Sequence, residues 1–247
     1  MMDLYFNIKE RVLKGEKIFV LLIDPDKCKD DVLNKYLKII KERPPHIIMV
    51  GGSLISTPVK PLIEVLKKES DVPVVLYPGS PSHLVDNVDA ILFLSLISGR
   101  NPDLLIGSHV VAAPYIKRNN IEPLSTGYML IDGGVTTSVE YISQTKPIPS
   151  NKPDIAVATA MAGEMLGMDL IYMDCGSGAQ KSVPLKMIER VKASIDIPLM
   201  IGGGVRTPET LNNIFSSGAD MAIVGNALEN DLNLYHELLD VAEKWRK

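Results

Sequence analysis

Five short segments of this 247-residue chain place a carboxylate, a hydroxyl or bare glycine backbone directly after an apolar run. They are IDPDK with Asp24, VGGS with Ser53, MDCGSGA with Asp174, GGGVRTPE with Gly202, Gly203 and Gly204, and VGNA with Gly225 and Asn226. Three consecutive glycines cost backbone entropy on folding, so they need a physical reason. One reason is a tight turn that demands positive φ or close packing. The other is a cradle in which bare N–H groups touch an anion. Thr207 can cap a helix after the glycines, with Pro208 in its first position. Gly176, Ser177 and Gly178 add a further donor-rich segment. Three such segments at successive strand ends favour a phosphate site over a plain turn.

Side chains alternate along a strand, so Val20, Leu22 and Asp24 share one face, as do Leu170, Tyr172 and Asp174. If that face lines a barrel interior, both carboxylates stand at its mouth. Asp-Pro-Asp is also good turn chemistry, and Asp174 could equally serve nearby backbone N–H groups. Both readings stay open for both residues. Ser53 offers an oxygen that could join a carboxylate on a hard cation. Magnesium takes oxygen ligands, with most of them supplied by phosphates and water, so this pair gains meaning only beside a phosphorylated substrate. His46, His83, His109 and His236 are scattered without metal-ligand spacing and read as structural or surface groups. The run Tyr77-Pro78-Gly79-Ser80-Pro81 reads most simply as a turn, with a substrate contact there as the secondary reading.

The elements that must position these groups alternate along the whole chain. KIFVLLID, HIIMV, VPVVLY, AILFL, GYMLID, LIYMD, IPLMIG and MAIVG read as eight strands. Between them lie helical patterns such as DDVLNKYLKIIKER, PDLLIGSHVVAAPYIKR, VPLKMIERVKAS and TPETLNNIFSSG, and DLNLYHELLDVAEKWRK closes the chain. Continuous apolar runs suit parallel strands covered on both sides. Eight βα units at this length predict an α/β fold, a (β/α)8 TIM barrel forming a single domain over residues 1–247, with an open doubly wound sheet as the rival. A barrel keeps its chemistry at the strand C-termini, where all five segments fall.

Composition bounds the partners. The chain is 46% hydrophobic and 23% charged, ordinary globular values, and its net charge of -4 argues against a nucleic-acid binder. Two cysteines, Cys28 and Cys175, make no disulfide framework, which points to a reducing cytoplasm. The first residues lack the apolar core of a signal peptide, and AILFLSLISG is too short to span a bilayer. Peripheral membrane contact stays open. AILFLSLISG and HVVAAPYIKR could line an apolar groove, although core segments look the same in sequence.

Taken in order, LLIDPDK, MVGGS, YPGS, GYMLIDGGVTTSVEYISQTKPIP, IAVATAMAGEMLGMDLIYMDCGSGA, MIGGGVRTPE and VGNA resemble the geranylgeranylglyceryl phosphate synthase family, which includes the bacterial heptaprenylglyceryl phosphate synthases. The long middle segment is most similar to the branch of larger members. The resemblance implies a magnesium-dependent prenyltransferase on a (β/α)8 barrel. It would join sn-glycerol 1-phosphate to a long-chain prenyl diphosphate, geranylgeranyl by default, releasing diphosphate and forming an ether lipid precursor. Carried over motif by motif, Asp24 and Ser53 would bind Mg2+. Glycerol phosphate would lie against Tyr172, Met173, Asp174, Cys175, Gly176, Ser177 and Gly178, then Gly203 and Gly204, then Gly225 and Asn226. Asp174 is the expected base, with Tyr172 orienting the glycerol, in a family whose members can carry Glu there. Cys175 stands where alanine is more familiar, which reads as packing variation. The family is commonly oligomeric, so a homo-oligomer is expected.

Two other readings compete. A sugar-phosphate isomerase or lyase would use the same phosphate loops without needing Mg2+ or an apolar groove. A non-catalytic phosphate or lipid binder would have less need of Asp24, Ser53 and Asp174 together.

Overall fold

Eight parallel strands close on themselves in chain order in the computed structural model, which describes residues 3–29 and 31–245. The strands are β1 (Ile18–Ile23), β2 (Ile47–Gly51), β3 (Val74–Tyr77), β4 (Ala90–Leu96), β5 (Glu122–Leu130), β6 (Leu170–Asp174), β7 (Leu199–Gly202) and β8 (Met221–Val224). β1 pairs with both β2 and β8, which seals the barrel and abolishes the edge that an open sheet would leave. All eight expected strands form. β5 starts earlier than the GYMLID run suggests, because the polar stretch from Glu122 to Thr126 pairs with β4 throughout.

Helices fill the outside. They are α1 (Leu4–Leu13), α2 (Asp31–Glu42), α3 (Val59–Glu69), α4 (Ser108–Arg118), α5 (Ser138–Ser143), α6 (Pro153–Met165), α7 (Leu185–Lys192), α8 (Pro208–Ser216), α9 (Asn226–Asn230) and α10 (Leu234–Glu243). Residue 30, which opens the DDVLNKYLKIIKER pattern, and residues 246–247 of the closing pattern lie outside the described residues. The PDLLIGSHVVAAPYIKR pattern divides: Asp103–Gly107 is a π-helical turn that leads into α4. Thr207 caps α8 as expected, its Oγ1 accepting from the Thr210 N–H at 3.1 Å, with Pro208 in the first turn.

Strand parity sorts the core into two layers. Phe19, Leu21, Ile23, Ile171 and Met173 face outward and pack against the helices. Val20, Leu170, Tyr172, Met200 and Ile223 fill the lumen, with Leu22 packed against them. The face that bears Asp24 and Asp174 is therefore the barrel interior. Leu4 and Ile8 of α1 join that inner cluster and form the barrel floor. Glu122 at the start of β5 holds α1 there, accepting from the Leu4 N–H at 2.7 Å and the Tyr5 N–H at 2.8 Å. Two of the helix's orphan donors are thus satisfied from across the fold.

Candidate active site

Asp174 ends β6 as a buried carboxylate, 5% exposed. Its Oδ2 accepts from the Tyr128 hydroxyl at 2.7 Å, and its Oδ1 accepts from the Gly176 N–H at 2.9 Å. The backbone role open to Asp174 is thus realised, and the position at the barrel mouth is realised as well. Burial raises the Asp174 pKa, while donations from Tyr128, the Gly176 N–H and Tyr172 work in the opposite direction. The hydroxyls of Tyr77 and Tyr172 lie in the same cluster, with the Tyr128 and Tyr172 rings 5.1 Å apart and those of Tyr77 and Tyr172 6.2 Å apart. Burial and the nearby Asp174 charge hold all three phenols above their ordinary pKa, so they act as hydrogen-bond donors rather than phenolates. Gly202 makes room for this cluster, since a Cβ there would collide with the Tyr172 hydroxyl.

The glycine segments border the same cavity. Gly176, Ser177 and Gly178 from β6, Gly203 and Gly204 from β7, and Gly225 and Asn226 from β8 line it together with Tyr172 and Asp174. Met173 points outward into the helix layer, and Cys175 is buried there too. Burial pushes the Cys175 thiol up, and Cys28 up to about 11, so neither is a nucleophile. Gly204 has φ of 71°, and a Cβ would fall 2.6 Å from the Lys181 carbonyl carbon and oxygen. Close packing alone thus demands that glycine. Gly178, by contrast, has φ of 82° and nothing within 4 Å of the Cβ position, so its open side faces space. Among the described residues, the N–H groups of Gly178, Gly203, Gly204 and Asn226 donate no hydrogen bond within the chain. They are available to an anion.

Asp24 and Ser53 line the cavity on the β1–β2 side. Asp24 Oδ1 accepts from the Asp26 N–H at 2.9 Å, the local turn that Asp-Pro-Asp predicts. Asp26 ties the next loop, accepting from the Thr57 N–H at 2.6 Å and from Ser56, which holds its carboxyl far below the usual range. Lys27 Nζ lies 2.8 Å from Glu229 Oε2 and 3.6 Å from Asp24 Oδ2. Glu229 Oε2 also accepts from Asn226 Nδ2 at 3.2 Å, and Asn226 Oδ1 accepts from the Ser177 hydroxyl at 2.5 Å. A polar chain therefore connects the Asp24 side to the glycine segments. Five carboxylates line the cavity (Asp24, Asp26, Asp174, Glu229 and Asp231) against two cations, Lys27 and Arg206. The Arg206 guanidinium already donates to the Ala179 carbonyl at 2.6 Å. Among the described residues no three His, Cys, Asp or Glu side chains converge as a metal cluster.

An apolar groove adjoins this cavity. Its walls are Ile91, Leu92, Phe93, Leu94 and Leu96 of β4, Ala112 of α4 and Ile142 of α5. Both segments singled out as groove candidates contribute, and both also supply core residues. Gly52, Ser53 and Tyr77 line the groove and the polar cavity at once. Tyr77, expected to open a turn, ends β3 with its side chain in the inner cluster, and the 3₁₀ turn Pro81–His83 follows. His109 is buried in the groove wall beside Ser95, with Nε2 3.1 Å from its hydroxyl. Reading by segment missed Tyr128 and placed Tyr77 in a turn, with a substrate contact only as the secondary reading. Strand parity could have found them, because each occupies an inward position at the mouth end of its strand.

A closed (β/α)8 barrel with donors, carboxylates and an apolar groove gathered at the C-terminal ends of its strands belongs to the enzyme class that works at that face. Residues 10–242 match the PcrB family. The chain is 44% identical over 241 residues to the geranylgeranylglyceryl phosphate synthase of Spirosoma linguale, covering 97% of each chain. It is 36% identical to the synthase of the same name from Pyrococcus abyssi, covering 92% of this chain and 90% of that one. The crystal structure of the Thermoplasma acidophilum enzyme in complex with its substrate sn-glycerol-1-phosphate superposes with a TM-score of 0.90 at 30% identity, covering 100% of this chain and 99% of that one. The chain belongs to the PcrB family.

Proposed function

We propose that this chain, acting as one domain over residues 1–247, transfers a geranylgeranyl group from its diphosphate to the free primary hydroxyl of sn-glycerol 1-phosphate. The observation that carries this reading is the shared border at Ser53 and Tyr77, where a polar, donor-lined cavity opens into an apolar groove. A ligand with a charged head and a long apolar tail fits that junction, and the glycine segments beyond it suit the phosphate of a small acceptor. A sugar-phosphate isomerase would have no use for the groove.

Asp24 and Ser53 would hold Mg2+, and the donor set fits: both offer oxygen only, and a cavity with more carboxylates than cations needs a cation before it can accept a diphosphate. A bound divalent ion there would neutralise charge on the departing diphosphate. The chain's own residues do the rest. Gly178, Gly203, Gly204 and Asn226 would hold the acceptor phosphate, and Tyr172 would orient the glycerol. As the acceptor oxygen bonds to the allylic carbon and the carbon–diphosphate bond breaks, Asp174 would take the hydroxyl proton. Two further points belong to this reading. The exposed apolar face of α6, with Ile155, Met165 and neighbouring Leu166, supports a homo-oligomer. Exposed Leu54 and Ile142 at the cavity and groove rims support contact with a membrane surface that supplies the donor.

The test is diphosphate release from purified protein with sn-glycerol 1-phosphate, geranylgeranyl diphosphate and Mg2+. Release with this isomer, absent with the sn-3 isomer and abolished by EDTA, is the expected result. No release with this donor or with shorter and longer ones would remove the transferase reading.

A further inference from the structure

Tyr77 ends β3 with its side chain turned into the barrel, and it has no part in the phosphate segments or the metal site. Among the described residues, Gly52, Ser53 and Tyr77 alone line both the polar cavity and the apolar groove. Glycine has no side chain and Ser53 offers only an oxygen. Tyr77 therefore supplies the one ring that a ligand spanning the two must pass. Its ring meets that of Tyr172 edge to face, at 6.2 Å and 65°, and Tyr172 meets Tyr128 in the same way at 5.1 Å. Tyr172 lines the polar cavity and Tyr128 lines the groove, so all three rings gather at the border. The backbone under Tyr77 is fixed as well. It pairs with Gly51 of β2, where a Cβ would collide with the Tyr77 carbonyl oxygen. Tyr77 is thus clamped on its inner side, yet it keeps 9% of its surface open.

We propose that Tyr77 is a catalytic residue of the transfer, its ring face meeting the allylic carbon from which diphosphate departs. This rests on the transferase reading and deepens it. A prenyl diphosphate laid across the junction has its head in the polar cavity and its tail in the groove. The carbon that joins them then lies at the border, beside Tyr77. When the carbon–oxygen bond breaks, its electron pair leaves with the diphosphate and positive charge grows on the allylic unit. That charge is quenched as a lone pair of the acceptor oxygen bonds to the carbon and the acceptor proton passes to Asp174. An aromatic face carries negative potential and attracts a cation most strongly where water is excluded. The attraction grows only as the charge develops, so it speeds the step without tightening the bound donor. Tyr77 gives up neither proton nor electrons. Burial and the nearby Asp174 charge raise the pKa of its phenol, and a neutral phenol is too weak a nucleophile to be alkylated in place of the acceptor.

The experiment measures the single-turnover rate of diphosphate release, and the KM for geranylgeranyl diphosphate, in wild type, Tyr77→Phe and Tyr77→Leu. A further set places phenylalanines of rising fluorine content at position 77, which keep the ring's shape and drain the negative potential from its face. Y77F should react within about threefold of wild type, because the ring remains. Y77L should lose about tenfold or more in rate with its KM within about threefold, since the lost attraction belongs to the transition state. Each added fluorine should slow the step further at an unchanged melting temperature. A flat fluorine series overturns the proposal even if the leucine variant does not fold. So does a Y77L loss that falls on KM alone, which would make the ring a binding wall. A Y77F protein as slow as Y77L also overturns it, by moving the role from the ring to the hydroxyl. A wild-type protein that releases no diphosphate would instead refute the transferase reading itself.

Discussion

Replacing Tyr128 by Phe removes one hydroxyl from the 2.7 Å bond to Asp174 and leaves the ring that packs on Tyr172. Asp174 is only 5% exposed, so water compensates poorly for the lost donor. A hydrogen bond to a charged group contributes about 1.5–3 kcal/mol, and the same bond to a neutral carboxylic acid nearer 0.5–1.5. The difference falls on the ionised form. Because 1.36 kcal/mol corresponds to one pKa unit, the variant's carboxyl should titrate about one unit higher than that of wild type. Burial already raises the Asp174 pKa in the native protein, so its ionisation weakens the fold. The stability that this group contributes is fully present below the unfolded value of 3.8 and is lost as pH rises through the folded value. Y128F extends that loss to higher pH. Urea unfolding at pH 3.5 and pH 8 should therefore show a destabilisation that is larger at pH 8 by about 1 kcal/mol or more. The acid limb of the pH–rate profile for diphosphate release should move upward by about one unit, since a base works only when ionised. Equal destabilisation at both pH values, with the acid limb unmoved, would refute the assignment of Tyr128 as the group that keeps Asp174 ionised and aimed.

Two further outcomes follow from the mouth of the barrel. Asp24→Asn keeps the oxygen that accepts from the Asp26 N–H, so the melting temperature should stay near that of wild type while turnover at limiting Mg2+ falls roughly tenfold or more; wild-type turnover under those conditions would remove Asp24 from the metal site. Gly204→Ala forces a Cβ to within 2.6 Å of the Lys181 backbone at a φ of 71°, and should cost about 1–3 kcal/mol in urea unfolding. A cost near zero would mean that the loop relaxes freely, and the packing argument for Gly204 would fail.

The eight strands could be read because each is a short apolar run closed by chemistry, and their parity placed Asp24 and Asp174 on the inner face. The turn at Asp24 and the Thr207 cap were equally local and equally readable. Parity marks Tyr128 as inward-facing, but not its partner, which comes from pairing β5 with β6, where Tyr128 lies opposite Tyr172. No local pattern records that neighbour. The groove was ambiguous for another reason. Phe93 and Ala112 line it, yet the same segments supply Ile97 and Ile116 to the helix-facing core, and apolar residues look alike in both roles.

The floor of the barrel has a consequence for how the chain comes to be folded. Leu4 and Ile8 are made before every strand they seal, but the carboxylate that anchors their helix lies 118 positions beyond Leu4, at Glu122. Neighbouring βα units meet across short stretches of chain, whereas this contact must close a loop of nearly half the protein. Until β5 exists, α1 has an apolar face and nothing to seal. During synthesis that face would stay uncovered until β5 emerges, and the barrel would be plugged from below only after its first half had assembled.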